Sequence, residues 1–408
     1  MSIKPTQGGV CAPAGFAAGG VRCGISGKAD KKDLALIYSK VGCTAAAGYT
    51  TNKVKAAPIA ITRENLVDGK AQAVICNSGN ANACAKGGEI AAKMMCELAG
   101  KLLNINPADV VVASTGVIGQ PLNVGMIEAS MTDLGRSLSP EPAGSRAAAH
   151  AIMTTDTMEK EIALSFQLGG KLCSLGGIAK GSGMIHPNMA TMLAFLTTDA
   201  AVSSEMLKAA LDKVIPLTFN MVSVDGDTST NDMCVILANG LAGNEVITQP
   251  GKDFDEFVKT LTQACIYLAR IMAKDGEGAT KLIECTVNGA LDDEQARMLA
   301  KSVVCSSLLK SAIFGRDANW GRIICALGYS GAQFDPGKVN ITLASLAGEV
   351  RVCRDGVGLA FSEELAGSVL GADEIEIQVE LFEGEGGAVA WGCDLTYDYV
   401  KINGDYRS

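Results

Sequence analysis

The chain has 408 residues, 48% of them hydrophobic, which exceeds what one core usually holds, so two domains or subdomains are expected. Charge runs to 35 basic against 44 acidic residues, a net of -9, and no Lys/Arg cluster interleaved with aromatics points to a nucleic-acid surface. The 14 cysteines include no Cys-x-x-Cys pair and the only histidines are His150 and His186, so zinc-ligand spacing is absent and reduced, buried thiols of a cytoplasmic protein are expected.

Residues 8–24 are rich in Gly and Ala and read as loop with short extended pieces. Residues 33–38 and 73–76 are strand-like, and the second run leads into the polar turn Asn77-Ser78-Gly79-Asn80-Ala81-Asn82, followed by an Ala-rich segment of helical spacing to Leu103. That turn could present amides to a ligand, although a plain strand-turn-helix connection explains it equally well. Val110-Val111-Val112-Ala113 is a β-branched run that stops at Ser114-Thr115-Gly116, where glycine lets the backbone turn tightly. After an Ala-rich helical segment, Thr154-Thr155-Asp156-Thr157 reads as a cap or Asx turn.

Residues 172–179 form a strand-like run ending at Lys180. Gly181-Ser182-Gly183 is no dinucleotide fingerprint, because His186 stands where the third glycine belongs. Beyond the strand-like run from Thr191 comes a helix over 204–214, then Asp225-Gly226-Asp227-Thr228-Ser229-Thr230-Asn231-Asp232. Its alternating oxygens invite a calcium reading, but Thr230 occupies the glycine place of an EF-hand and Ile236 the place of the last glutamate, so a hydrogen-bonded turn is favoured.

A strongly periodic helix over 254–273 runs into Lys274-Asp275-Gly276-Glu277-Gly278, which lacks Walker spacing. The remainder is read as a strand over 285–288, one long helix over 292–314, β-rich segments near 339–343, 350–353 and 375–381, and an alternating strand over 394–401. No apolar stretch approaches the ~20 residues of a membrane span, and no signal segment is evident at the start. A mixed or antiparallel α/β architecture of two layered domains, with sheets flanked by helices, is the simplest reading.

The central segment is Lys180-Gly181-Ser182-Gly183-Met184-Ile185-His186-Pro187-Asn188-Met189-Ala190-Thr191-Met192, where a Gly- and Pro-bearing turn delivers Thr191 to the head of an apolar run. The residues alone support two accounts. Thr191 is an ordinary β-branched residue entering a strand, or the chain cleaves itself between Ala190 and Thr191. In the second account an N→O acyl shift and hydrolysis free the Thr191 α-amine, which titrates at about 7.7–8.0 and can serve as base for its own hydroxyl.

This segment resembles the autocleavage and nucleophile motif of the ornithine acetyltransferases, also called glutamate N-acetyltransferases, the bifunctional protein type of arginine biosynthesis. The resemblance runs through Ser114-Thr115-Gly116-Val117-Ile118-Gly119, residues 223–232 and Gly315-Arg316-Asp317-Ala318-Asn319-Trp320-Gly321-Arg322. It implies a self-cleaved enzyme with an N-terminal threonine, of the L-aminopeptidase/ornithine acetyltransferase-like type, with residues 1–190 as one fragment and 191–408 as the other. It further implies Thr191 as nucleophile, Thr115 and Gly116 as oxyanion hole, and Thr154, Lys180, Thr191, Glu277, Asn403 and Ser408 as substrate contacts.

The implied reaction carries the acetyl group of N2-acetylornithine to glutamate by ping-pong kinetics, with no cofactor, no metal, and acetyl-CoA as an optional second donor. Two fragments of each kind would form a heterotetramer. Two other accounts fit the same residues: a self-cleaving aminopeptidase or amidohydrolase that passes its acyl group to water, and a non-catalytic amino-acid binder that stays uncut.

Overall fold

Runs such as 34–37, 73–76 and 110–113 are apolar at consecutive positions rather than at alternate ones, the signature of strands covered on both faces. The computed structural model describes residues 3–186 and 192–405 and divides the chain into two units. The first comprises the described parts of residues 1–181, 187–219 and 228–268; the second comprises 182–186, 220–227 and the described part of 269–408.

In the first unit lie β1 (Lys4–Pro5), β2 (Phe16–Val21), β3 (Leu34–Tyr49), β4 (Lys70–Asn77), β5 (Val110–Ser114), β6 (Lys160–Leu168), β7 (Lys171–Lys180) and β8 (Leu193–Thr198). β9 (Val222–Ser223) belongs to the second unit, and β10 (Met233–Ala238) returns to the first. β1 to β8 and β10 form a 9-stranded mixed sheet in the order β1-β6-β7-β8-β10-β3-β4-β5, with β2 also paired to β3. The β8/β10 and β4/β5 pairs are parallel and the others antiparallel.

Alternate residues of the same strands enter two separate cores. Ile37, Val74 and Val111 pack with Ala148, Ala149 and Ile152 of a helix over Pro142–Ile152. Leu36, Ile75 and Val112 pack against the apolar stripes of helices over Gly88–Leu103 and Val124–Ser137. The register of β3 to β4 shifts between Tyr38 and Cys43. Beyond that break β3 pairs with β10, so one 16-residue strand joins two halves of the sheet.

The second unit holds β11 (Leu282–Ala290), β12 (Asn340–Ser345), β13 (Gly348–Arg354), β14 (Val357–Gly358), β15 (Glu374–Glu380) and β16 (Gly386–Cys393). With β9 they make a 7-stranded mixed sheet in the order β14-β13-β12-β15-β11-β16-β9. The fold class is therefore mixed α/β with helix-flanked sheets. Among the described residues no helix is long and apolar enough to cross a membrane.

Three sequence expectations need correction. The helix expected over 292–314 is two helices, Asp293–Cys305 and Ser307–Phe314, because Ser306 leaves helical geometry and accepts the Leu309 N–H to cap the second. Residues 394–401 are not a strand: Thr396 caps a helix over Tyr397–Gly404 by accepting the Tyr399 N–H, so local capping overrides the alternating pattern. The thiols are mostly buried, and burial pushes Cys76 and Cys234 up to about 12, but Cys84 and Cys325 are exposed.

Candidate active site

β5 is buried along its whole length and ends where Thr115 donates its N–H to the Asn77 carbonyl at 3.0 Å. The amide of Thr115 is therefore spent, and what the residue can offer a ligand is its hydroxyl. Gly116 follows with φ +131°, a conformation open to glycine, and a Cβ there would stand 2.3 Å from the Gly79 carbonyl carbon. The glycine is required by the close passage of the 79–80 backbone.

Lys180, at the end of β7, lies opposite Leu193 of β8, which in turn lies opposite Met233 of β10, so the ends of these strands are in register. The Lys180 ammonium is buried and donates to Thr115 Oγ1 at 3.2 Å and to Thr154 Oγ1 at 2.9 Å. A hydroxyl that accepts from an ammonium keeps its own proton free to donate, and its O–H is polarised by the charge. The Thr115 hydroxyl is thereby set up to donate toward a developing negative oxygen.

Asp156, inside the 154–157 segment, and Lys160, which belongs to no motif, hold this arrangement. Asp156 and Lys160 form an ion pair of 2.7 Å with both side chains fully buried. The Asp156 carboxylate also accepts the Thr154 N–H at 3.0 Å and the Gly181 N–H at 2.7 Å, fixing Thr154 and the residue after Lys180 to one point. Burial alone would raise its pKa, but the Lys160 and Lys180 ammonium groups and these hydrogen bonds outweigh burial and hold it well below the usual carboxylate range.

The motif over residues 225–232 contributes from its last two residues here. Asn231 Nδ2 donates to the carbonyls of Ala81 at 2.6 Å and Ser114 at 2.7 Å, tying the 77–82 turn to the end of β5. Ser114 Oγ donates to Asn77 Oδ1 at 2.6 Å. Asp232 is buried, and Met233 N–H donates to the Met192 carbonyl at 3.0 Å. Burial pushes the Asp232 carboxyl well above its ordinary range, against the opposing pull of the Ser229 and Thr50 hydroxyls, the Lys180 charge and the Met192 N–H. Its Oδ2 has no hydrogen-bond partner among the described residues.

A second group of residues lies in the second unit. Asp225 takes the N–H groups of Met184 and Ile185 on its two oxygens, at 2.6 and 2.9 Å. Glu277 donates its N–H to the Ser182 carbonyl at 3.0 Å, and a Cβ on Gly183 would lie 2.2 Å from the Glu277 carboxyl carbon, so only glycine lets that carboxylate lie against the chain. Glu277 Oε2 accepts from Asn403 Nδ2 at 2.7 Å. His186 Nδ1 lies 3.1 Å from Ser223 Oγ and 3.4 Å from Cys305 Sγ, and burial, with Lys301 nearby, pulls its pKa down to about 4.

Of the residues read from sequence, Thr115, Thr154 and Lys180 meet directly, with Gly116 next to Thr115 in the chain, and Glu277 meets Asn403. Ala190, Thr191 and Ser408 lie outside the described residues. Sequence reasoning missed the holding roles of Asp156, Lys160, Asn231 and Asp225. Asp156, Asn231 and Asp225 stood inside motifs, whereas nothing in the sequence distinguishes Lys160 from a solvated lysine.

A model of the ArgJ family matches residues 17–408. The arginine biosynthesis bifunctional protein ArgJ of Symbiobacterium thermophilum is 52% identical over 403 residues, covering 98% of this chain and 99% of its own length. That of Caldanaerobacter subterraneus subsp. tengcongensis is 52% identical over 398 residues, covering 97% and 98%. Among solved structures, the ornithine acetyltransferase of Mycobacterium tuberculosis complexed with ornithine is 37% identical, covers 46% of this chain and 100% of its own, and superposes with a TM-score of 0.42.

Proposed function

This chain belongs to the ArgJ family of arginine-biosynthesis enzymes, and from that premise we propose that it moves the acetyl group of N2-acetylornithine to glutamate through an acetyl ester on Thr191. Maturation comes first. The Thr191 hydroxyl attacks the Ala190 carbonyl carbon, the C–N bond breaks as the ester forms, and water hydrolyses the ester, leaving the Ala190 carboxylate and a free Thr191 α-amine.

In turnover that amine takes the proton of the Thr191 hydroxyl as the oxygen attacks the acetyl carbonyl. The tetrahedral oxyanion is met by the Thr115 hydroxyl and the Gly116 turn, and the proton passes to the departing α-amine of ornithine. Glutamate then attacks the acetyl-threonine ester, its amine losing a proton as the Thr191 hydroxyl is restored, so the kinetics are ping-pong. Lys180 and Thr154 receive the substrate carboxylate, and Glu277, Asn403 and Ser408 are the remaining substrate contacts of the proposal. No cofactor or metal takes part, acetyl-CoA is a second donor for the same ester, and the mature enzyme is a heterotetramer of two fragments of each kind.

What supports this reading most is the Lys180 ammonium bonded to both the Thr115 and Thr154 hydroxyls, a charge-polarised donor set at the end of a rigid strand. A positioned acid–base group supplies about 10²–10⁴ in rate, and one oxyanion donor about 10²–10³. The test is acetyl transfer from N2-acetylornithine, with and without glutamate, by purified wild type and Thr191→Ala. Ornithine release that depends on glutamate and vanishes in the variant is expected. Release that proceeds equally without glutamate would instead identify an amidohydrolase, with water as the acceptor.

A further inference from the structure

One lysine near this site remains without a task. Lys31, three residues before the β3 strand, is half-buried and donates its ammonium to the Thr154 carbonyl at 3.1 Å. Thr154 is the residue whose hydroxyl Lys180 holds at 2.9 Å, so two ammonium groups converge on one threonine, one at its main chain and one at its side chain.

Among the described residues neither ammonium has a carboxylate within ion-pair distance. Two of the acidic groups nearby are already committed, and burial makes a third, Asp232, hold its proton more tightly than an ordinary carboxyl. Asp156 serves Lys160 and two backbone amides. Asp33 accepts the N–H groups of Cys23, Gly24 and Ser26 at 2.6, 3.1 and 2.8 Å. Partly desolvated charges of one sign, close together and with no carboxylate at ion-pair distance, are costly unless something neutralises them. Burial, together with Lys28 and Lys180, pulls the Lys31 pKa down to about 8, against the opposing pull of Asp156 and Asp33. It is still charged at pH 7.

We propose that Lys31 and Lys180 form a receptor for a dicarboxylate, with Lys31 reading the side-chain carboxylate of the acceptor amino acid while Lys180 holds its α-carboxylate. This rests on the transfer reading above and adds the element that tells glutamate from its amide. The donor, with one carboxylate and a cationic side chain, needs Lys180 and gains nothing from Lys31.

The experiment uses the full chain as wild type, Lys31→Met and Lys31→Arg, with calorimetric titration of glutamate and of glutamine beside acetyl transfer to each acceptor. Lys31→Met is expected to weaken glutamate binding and lower its kcat/KM about 10- to 100-fold, the range for losing a hydrogen bond between charged groups, while ornithine release from the donor falls much less. Its preference for glutamate over glutamine collapses, and Lys31→Arg restores most of it. If both half-reactions fall together, or the preference survives in Lys31→Met, the receptor role is wrong. A wild type that binds glutamate in a Lys31-dependent way yet transfers no acetyl group would leave the dicarboxylate receptor standing and overturn the transfer reading.

Discussion

Replacing Gly116 by alanine tests whether the turn after β5 is as tightly determined as its surroundings imply. At φ +131° an L-residue is strained, and the new methyl would sit 2.3 Å from the Gly79 carbonyl carbon, 2.6 Å from the Asn80 nitrogen and 2.7 Å from the Gly79 Cα. All three are backbone atoms. They cannot retreat easily, because the Asn80 side chain is bonded to the carbonyls of Gln120 and Pro121 at 3.1 and 3.3 Å and its main chain bridges to Thr115 and Val117. Backbone strain of about 1–3 kcal/mol and overpacking of about 1–3 kcal/mol together give a loss of about 2–6 kcal/mol. Acetyl transfer should fall by about 10²–10³, because the Thr115 hydroxyl moves from its place. Gly119→Ala is the control: its φ is +87° with open space around the added carbon, so it carries the strain without the collision. Urea unfolding and kcat/KM on both variants decide the matter. Gly116→Ala no less stable than Gly119→Ala, with transfer undiminished, would refute the reasoning.

Three further outcomes are expected. Intact-mass measurement under denaturing conditions should find fragments of 190 and 408 − 190 = 218 residues in the wild type and one chain of 408 in Thr191→Ala; a cut variant would remove Thr191 from the chemistry. Asp156→Asn should cost about 3–5 kcal/mol near neutral pH, the usual cost of breaking a buried pair. Its folded-state pKa is depressed, so this stabilisation is present above the ordinary carboxylate value of about 3.9 and lost as pH falls through the folded value, and variant and wild type should converge in strong acid. Asp232→Asn should behave oppositely. The folded chain keeps a proton on Asp232 that the unfolded chain releases above about pH 4, so wild-type stability declines as pH rises from there. In the variant, unfolding measured from acid to neutral pH should lose that decline and show equal or greater stability at pH 7.

What the sequence disclosed depended on whether a residue's task was local. The β-branched run before Ser114 announced a buried strand, and glycine at 116 announced a turn, because both constraints act within a few residues. The Asp156–Lys160 pair was invisible, since its worth comes from full burial and from the distant Gly181 amide. Asn231 likewise acts across the fold, on carbonyls at 81 and 114. Where local signals competed, pattern misled. The alternation of 394–401 suggested a strand, but the Thr396 cap starts a helix, and Ser306 interrupts an otherwise continuous helical periodicity in the same way.

The strand order of the first sheet gives the proposed cut at 190/191 a further meaning. β8 and β10 lie after the cut in sequence, yet they are bracketed in the sheet by β7 and β3, which lie before it. Pulling the fragments apart would tear the β7/β8 and β10/β3 ladders through the middle of a buried sheet. They should therefore co-purify through any native step and part only in denaturant. The uncut precursor folds as one molecule, at a rate independent of concentration, whereas separated fragments could regain the sheet only by a second-order encounter. Maturation as proposed would thus convert a first-order folding problem into a bimolecular one, which a chain that folds before it cuts never meets.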